Sequence, residues 1–165
     1  MKILIFTEGT ALMHASARYV SREERVKQSS SKSDDVKNFR NYIPNGNAVL
    51  KIQNWKNQGA EIYYLTSSTT PKKVDDTCFV LRKYNFPDHQ NLLFRKENEA
   101  YKDVAEQLMP AIFIEDDCES IGGEIEMTYP HIHSELQKKI HSIIVKEFAG
   151  IDHLPSDIKN LKTFK

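Results

Sequence analysis

The sequence predicts one α/β domain, in which helices cover both faces of a central parallel sheet and give three layers. Short apolar runs alternate along the chain with segments whose apolar residues recur at helical spacing. Such alternation is typical of strands joined by crossover helices, and crossover connections make the strands parallel. The length of 165 residues fits a single domain, and an apolar fraction of 39% is enough for one core.

Four strands are predicted from short apolar runs that end at polar or turn-forming residues. They are residues 2–6, 61–65, 91–94 and 111–114. The first run is rich in isoleucine, which is typical of a strand buried on both faces. We expect it at the centre of the sheet, between 61–65 and 111–114, because the polar residues that follow these three strands would then meet.

Helices are predicted between the strands and after the last one. Those between the strands are residues 47–58, a helix that begins at Thr70-Pro71, and residues 99–109. Threonine is a good N-cap and proline suits the first helical position, so the second helix has a clear start. A further helix is predicted after Ser134, which would form a capping box with Gln137 and precede an apolar stripe that ends at Phe148.

The domain is expected to comprise residues 1–150, with residues 151–165 as a C-terminal tail. Residues 14–46 lack a firm periodicity and carry seven Lys or Arg against four Asp or Glu. This stretch follows the first strand and is predicted to be a small cap or lid-like insertion. Three of its arginines are Arg18, Arg22 and Arg40. They would bind an anionic ligand if the stretch is a lid, and they would be solvated if it is a mobile loop.

The charge balance and the cysteines limit the classes of partner and compartment. The chain has 23 Lys or Arg and 23 Asp or Glu, so no overall field attracts nucleic acid or a membrane, and neither is expected as a partner. Cys78 and Cys118 are expected to be reduced thiols. The N-terminal run MKILIF is short for a secretory signal, and no apolar run approaches the ~18 residues of a membrane span. These features predict a cytoplasmic protein, and they leave the oligomeric state open.

Polar residues follow three of the predicted strands, at the ends that would share one edge of the sheet. They are Thr7-Glu8-Gly9-Thr10, Thr66-Ser67-Ser68 and Glu115-Asp116-Asp117. Lys102 lies in the helix before the fourth strand. Carboxylates are suitable ligands for Mg²⁺, while hydroxyls, backbone N–H groups and a lysine suit a phosphate. Together these residue types are the components of a phosphoryl-transfer site.

In this order, the segments resemble the four motifs of the haloacid dehalogenase (HAD) superfamily, especially its small phosphatase and nucleotidase-like members. KILIFTEGTAL resembles the first motif and YYLTSS the second, while the helix with Lys102 and the strand AIFIEDD resemble the third and fourth. The resemblance covers residues 1–12 and 47–148. It implies a HAD-like, Rossmann-like three-layer sandwich, with Mg²⁺ as cofactor and a small phosphorylated molecule as ligand.

The resemblance also implies three overlapping sets of site residues. The catalytic residues would be Glu8 and Lys102. The phosphate-binding residues would be Thr10, Thr66, Ser67 and Lys102. The metal ligands would be Glu8, Glu115, Asp116 and Asp117.

The sequence departs from the family at Phe6, which falls where the nucleophilic aspartate stands. Phenylalanine can neither attack phosphorus nor bind Mg²⁺, so the covalent aspartyl-phosphate route lacks its nucleophile. Shifting the motif by one residue would make Thr7 the nucleophile, but it would lose the Gly-Thr match, and threonine is a weak nucleophile without a neighbouring base.

Several functions therefore remain open from the sequence alone. One is a Mg²⁺-dependent phosphatase or nucleotidase-like hydrolase in which water replaces the aspartate. Another is an inactive HAD-like protein that binds a phosphorylated ligand or a partner protein. A third is an unrelated doubly wound domain, such as a flavodoxin-like module. His131 and His133 form an H-x-H pair that would need two further ligands to hold zinc, and surface or capping histidines are the alternative.

Overall fold

The computed structural model describes residues 1–164, and its main element is a five-stranded parallel sheet. The strands formed within these residues are β1 (Lys2–Phe6), β2 (Leu12–Met13), β3 (Ile43–Pro44), β4 (Glu61–Thr66), β5 (Leu92–Phe94), β6 (Ile112–Asp116) and β7 (His141–Val145). The main sheet has the order β5-β4-β1-β6-β7, and β2 and β3 pair separately. The predicted position of β1 between β4 and β6 is therefore confirmed.

The register of the sheet brings the strand ends together. Ile5 of β1 pairs with Tyr64 of β4 on one side and with Ile114 of β6 on the other. All three side chains are fully buried, as expected for a sheet with helices on both faces. The loops after β1, β4 and β6 consequently meet at the carboxyl end of the sheet, which is called the strand-end edge below. Glu8 and Asp116 both lie at this end, as predicted.

The helices of the described residues include the three predicted crossover helices. The helices are α1 (Arg22–Ser30), α2 (Asp34–Lys37), α3 (Ala48–Asn57), α4 (Pro71–Lys83), α5 (Tyr101–Leu108), α6 (Ser134–Gln137) and α7 (Ile158–Leu161). Thr70 caps α4 by accepting a hydrogen bond from the backbone N–H of Lys73, which confirms the predicted start. Even α4, with 13 residues, is too short to cross a membrane, and no other helix in residues 1–164 is long and apolar enough to do so.

The prediction of a long helix from Ser134 to Phe148 is wrong. Helix α6 ends at Gln137, and residues 141–145 form the edge strand β7 instead. In β7, Ile143 and Val145 are buried while Ile144 between them is exposed, which is the two-residue period of a strand. The β-branched residues of this run suit a strand, and pairing along the whole of β6 gives their backbone groups hydrogen-bond partners. Tertiary pairing therefore overrides the helical spacing.

Residues 14–46 pack beside the strand-end edge of the sheet. They form α1, α2 and β3, and their arginines contact the protein itself. Arg22 pairs with Glu119 at 2.8 Å, Arg25 donates to the carbonyl of Phe148 at 2.9 Å, and Arg40 pairs with Asp76 at 3.1 Å. The guanidinium of Arg18 lies over the ring of Tyr19. Two of the three arginines named as ligand donors, Arg22 and Arg40, thus attach this segment to the domain, whereas Arg18 contacts its neighbour within the segment.

Residues 151–164 follow the predicted domain and lie against α3. Ile151, Leu154 and Leu161 of this segment are buried in the core. The indole Nε1 of Trp55 donates a hydrogen bond to the carbonyl of Pro155 at 2.9 Å, and the Trp55 side chain is fully buried. This contact joins the C-terminal segment to the centre of the core.

His14, at the start of the 14–46 segment, is fully buried. Its Nδ1 lies 2.8 Å from Oγ of Ser16, and its ring packs edge-on against Phe148 and Tyr42. Its Nε2 has no hydrogen-bond partner among the described residues. Burial lowers the pKa of His14, because the charged imidazolium would lose its hydration.

Replacing Trp55 with Phe is expected to lower the free energy of unfolding by about 1–4 kcal/mol, because it leaves the Pro155 carbonyl without its donor and a void in the core. Urea denaturation measures the change. Leu50→Ala in the same helix is the control, since Leu50 is 70% exposed, and it should change stability by less than about 0.5 kcal/mol. A Trp55→Phe protein as stable as the parent would show that the C-terminal segment does not depend on this contact.

Titration of His14 should make the parent less stable as the pH falls from about 7 to about 5, whereas the raised pKa values of Glu115, Asp116 and Glu147 act in the opposite direction. The unfolded His14, with its ordinary pKa of 6.5, takes up a proton in this range that the folded residue resists, so protonation favours unfolding. The carboxylates are common to both proteins, so from pH 7 to pH 5 the stability of His14→Asn should change in a more favourable direction than that of the parent. Denaturant midpoints at both pH values test this, and identical changes in the two proteins would exclude a contribution from His14.

Candidate functional site

A cavity of about 370 Å³ lies at the strand-end edge. Its floor is formed by the residues that end or follow the strands, and one side is formed by residues 14–46. The floor residues include Phe6, Glu8, Gly9, Ser67, Arg95, Glu115 and Asp116. From the 14–46 segment come Ser29, Val36, Phe39 and Tyr42. The cavity is thus at the position where parallel α/β sheets bind their ligands.

Phe6 ends β1 and presents its ring to the cavity. The ring lies edge-on to that of Tyr101, with 5.5 Å between the centroids and 80° between the planes. The hydroxyl of Tyr101 in turn donates to the carbonyl of Ser67 at 3.0 Å. Edge-to-face aromatic pairs are attractive, so the two rings form a stable apolar wall. Phe6, which the motif resemblance aligns with a nucleophilic aspartate, is therefore part of this wall.

Glu8 contacts two of the four residues predicted to bind phosphate. Its Oε1 accepts a hydrogen bond from the hydroxyl of Thr66 at 2.7 Å, and its Oε2 accepts from the backbone N–H of Ser67 at 2.9 Å. The predicted acid or base and these two predicted anion donors are thus brought together. In this structure the donors bind the Glu8 carboxylate.

Asp116 ends β6 and is held under the loop that follows β1. Its Oδ2 accepts from the hydroxyl of Thr10 at 2.9 Å, and its Oδ1 accepts from the backbone N–H of Cys118 at 2.9 Å. Gly9 has a φ of +82°, and a Cβ at this position would lie 2.6 Å from Oδ2 of Asp116, so glycine is required for two reasons. Thr10, predicted to bind phosphate, is fully buried and points at Asp116.

The carboxylate of Glu147 is a part of the site that the sequence interpretation missed. It lines the cavity and accepts hydrogen bonds from the backbone N–H and hydroxyl of Ser120, at 2.6 and 2.7 Å. Burial raises the pKa of Asp116 to about 7, and the negative charge of Glu147 contributes to this. Burial also raises the pKa of Glu147. Because Glu147 follows β7, recognising that strand would have identified it.

The other two predicted metal ligands point away from a common centre. Glu115 is buried and accepts from the backbone N–H groups of Thr128 and Tyr129, at 2.7 and 2.8 Å, and burial raises its pKa. Asp117 pairs with Lys146 at 2.9 Å on the surface. Each carboxylate is therefore satisfied by groups of the protein.

The acids of the site do not form a metal centre as they stand. Within residues 1–164, no three His, Cys, Asp or Glu side chains are grouped so that they could hold a metal ion. The H-x-H pair is no exception, since Nε2 of His131 lies 2.9 Å from the carbonyl of Ile125. Mg²⁺ is usually held by one or two carboxylates and several waters, so Glu8, Asp116 and Glu147, which line the cavity, are the acids that would have to hold it there.

Arg95 is the cation on the cavity wall, whereas Lys102 faces elsewhere. Nζ of Lys102 pairs with the neighbouring Asp103 at 2.8 Å, and Lys102 lines an adjacent hollow. The guanidinium of Arg95 lies 5.1 Å from the ring centroid of Tyr101, and its Nε is buried without a hydrogen-bond partner in the described residues. Arg95 directly follows β5, so its position at a strand end was the signal in the sequence.

Comparisons with known proteins identify the fold. No family model matches the chain. A structure of the class C acid phosphatase from Bacillus anthracis with tungstate bound is similar over 90% of this chain and 68% of the phosphatase, with a TM-score of 0.56 and 16% identity. A second structure of that phosphatase is similar over 90% and 67% of the two chains, with a TM-score of 0.58 and 15% identity.

One curated protein also matches a short segment. The threonine–tRNA ligase of Acidobacterium capsulatum is 32% identical over 56 residues, which are 34% of this chain and only 8% of the ligase. A match that covers so small a share of both chains does not identify a family. The phosphatase structures, in contrast, cover almost the whole domain, and class C acid phosphatases belong to the HAD-like superfamily. The chain therefore has the HAD-like, Rossmann-like fold that its motifs predicted.

Proposed function

We propose that the chain is a ligand-binding protein that keeps the HAD-like fold and lacks the aspartyl-phosphate reaction. The observation that carries this proposal is Phe6, whose ring lines the cavity at the end of β1. The aspartyl-phosphate route needs a carboxylate oxygen in line with phosphorus at roughly 3–3.5 Å. A phenyl ring has no lone pair with which to attack phosphorus or to coordinate Mg²⁺.

The proposed ligand is a small phosphorylated molecule with an apolar or aromatic part. The hydroxyl of Thr66, the N–H of Ser67 and the guanidinium of Arg95 are groups that bind phosphoryl oxygens. The rings of Phe6 and Tyr101 offer a surface for the remainder of the ligand. The cavity volume of about 370 Å³ lies in the range of roughly 300–1,000 Å³ that is usual for small-molecule sites.

A second candidate is a phosphatase-like hydrolase of small phosphate monoesters. The structural likeness to acid phosphatases over 90% of the chain favours it. Water would then replace the missing aspartate, with Glu8 as the predicted acid or base and Lys102 as the predicted neutralising charge. Mg²⁺ is the predicted cofactor of this candidate, so each assay below is performed with the metal and with a chelator.

The parent protein is expected to release no phosphate from a generic aryl phosphate above the uncatalysed rate. Phe6→Asp combined with Glu8→Asp should introduce both Mg²⁺ binding and hydrolysis, because the change supplies the missing carboxylate and frees Thr66 and Ser67. Phe6→Asp alone is expected to recover less, since Glu8 would still bind these two donors. Calorimetry with Mg²⁺ and a phosphate-release assay measure the two effects.

Phe6→Leu is the matched control for these variants, because it keeps an apolar side chain and should stay inactive. Rapid turnover by the parent, with an acyl phosphate that borohydride traps, would contradict the proposal and show that another carboxylate is the nucleophile. Slow turnover without a trappable intermediate would favour the second candidate, hydrolysis by water.

Arg95→Met is expected to weaken binding of an aryl phosphate by about 1.5–3 kcal/mol, the usual contribution of a hydrogen bond to a charged group. Lys102→Met removes a cation from the neighbouring hollow and should have a smaller effect. NMR titration of both variants and the parent gives the affinities. A loss confined to Lys102→Met would show that the lysine implied by the HAD resemblance binds the ligand and that Arg95 does not.

A further inference from the structure

The Glu8 carboxylate makes a two-point contact that resembles the binding of an external oxyanion. Each of its oxygens accepts from one donor, Oε1 from the Thr66 hydroxyl at 2.7 Å and Oε2 from the Ser67 N–H at 2.9 Å. Oγ1 of Thr66 also accepts from the N–H of Ser68 at 3.1 Å. The hydroxyl proton of Thr66 is therefore free to point at Glu8, so both hydrogen bonds are oriented for an anion.

The length of the Glu8 side chain and the backbone around it explain this contact. The N–H of Thr7 donates to the carbonyl of Leu65 at 2.9 Å, which continues the β1–β4 pairing by one residue and places Glu8 opposite the loop after β4. An aspartate there would be shorter by one C–C bond, about 1.5 Å, and could not keep both hydrogen bonds without movement of the backbone. The two-point contact thus depends on glutamate at this position.

Glu8 is held in this position by hydrogen bonds alone. None of the ion pairs formed within residues 1–164 includes it. The Glu8 side chain is partly buried and helps to line the cavity. Its departure would therefore cost two hydrogen bonds and break no salt bridge, and water or a ligand could replace it.

We infer that Glu8 is a built-in competitor of anionic ligands, which must displace its carboxylate to reach Thr66 and Ser67. The inference rests on the proposed function, in which a phosphoryl group is bound by these donors. A phosphoryl oxygen and the Glu8 oxygens need the same hydrogen bonds and carry the same sign of charge, so they exclude each other. Glu8 accordingly determines which ligands the cavity admits, and it lowers the affinity for any that bind through a phosphoryl group.

Titration with inorganic phosphate, followed by the ¹H–¹⁵N signal of the Ser67 amide, tests the inference. Glu8→Ala is expected to bind phosphate at least about tenfold more tightly than the parent, with the Ser67 signal moving as the site fills. Glu126→Ala is the matched control, because Glu126 is an exposed acid that also lines the cavity. It removes the same charge without freeing a donor and should change the affinity by less than about threefold.

Glu8→Gln provides a second variant that keeps the side-chain length, should Glu8→Ala fail to fold. One amide oxygen can replace only one of the two contacts, so its gain should be smaller than that of Glu8→Ala and larger than that of Glu126→Ala. Equal affinities of the parent and the Glu8 variants, an equal gain in Glu126→Ala, an unmoved Ser67 signal or the absence of phosphate binding in every variant would each overturn the inference.

A different set of results would contradict the proposed function while leaving the inference about Glu8 intact. In that case Glu8→Ala would bind inorganic phosphate at Ser67 more tightly than the parent, but no organic phosphate would bind, or the parent would form a trappable acyl phosphate. The competition by Glu8 would then stand as a property of the anion site, without the ligand class proposed above.

Discussion

Pairing of β1 on both of its sides is the constraint on which the rest of the structure depends. Ile5 has partners in β4 and in β6, and the strand is buried from Ile3 to Ile5. The loop that follows a central parallel strand lies at the carboxyl end of the sheet, next to the loops that follow its two neighbours. Both the contact of Glu8 with the loop after β4 and the contact of Thr10 with Asp116 span the strand-end edge. The cavity lies where these loops meet, at the carboxyl ends of the buried, apolar strands.

Several carboxylates are buried at this edge, and each needs hydrogen-bond donors. The protein supplies backbone N–H groups and hydroxyls as these donors. Glu115, Asp116 and Glu147 each accept at least two hydrogen bonds of this kind. Such bonds offset only part of the cost of burying a charge, so the pKa of each remains raised. In an arrangement that held a cation, the cation would offset this cost. The acids here accept hydrogen bonds from the loops that follow the strands, and they thereby hold these loops in place.

Much of the fold and part of the site were predictable from local patterns. The central strand, its two neighbours and the three crossover helices followed from apolar runs, a threonine cap and the positions of glycine and proline. Strand β7 was missed because its apolar residues also fit a helical spacing, and only pairing with β6 decides between the two. That error concealed Glu147. The side-chain direction of Lys102 was not predictable either, since the adjacent Asp103 competes for its charge.

In the proposed function, Phe6 and Glu8 both act against the same phosphoryl-transfer reaction. A phosphoryl group that lay between Thr66 and Ser67 would meet a ring where the attacking carboxylate is needed, and the Glu8 carboxylate would already occupy its donors. Restoring a carboxylate at position 6 alone would add a second negative charge beside Glu8 and leave those donors filled. Under the proposed function, the ring at position 6 and the glutamate at position 8 are therefore physically consistent with each other, because the ring offers no attacking oxygen and the glutamate occupies the anion donors.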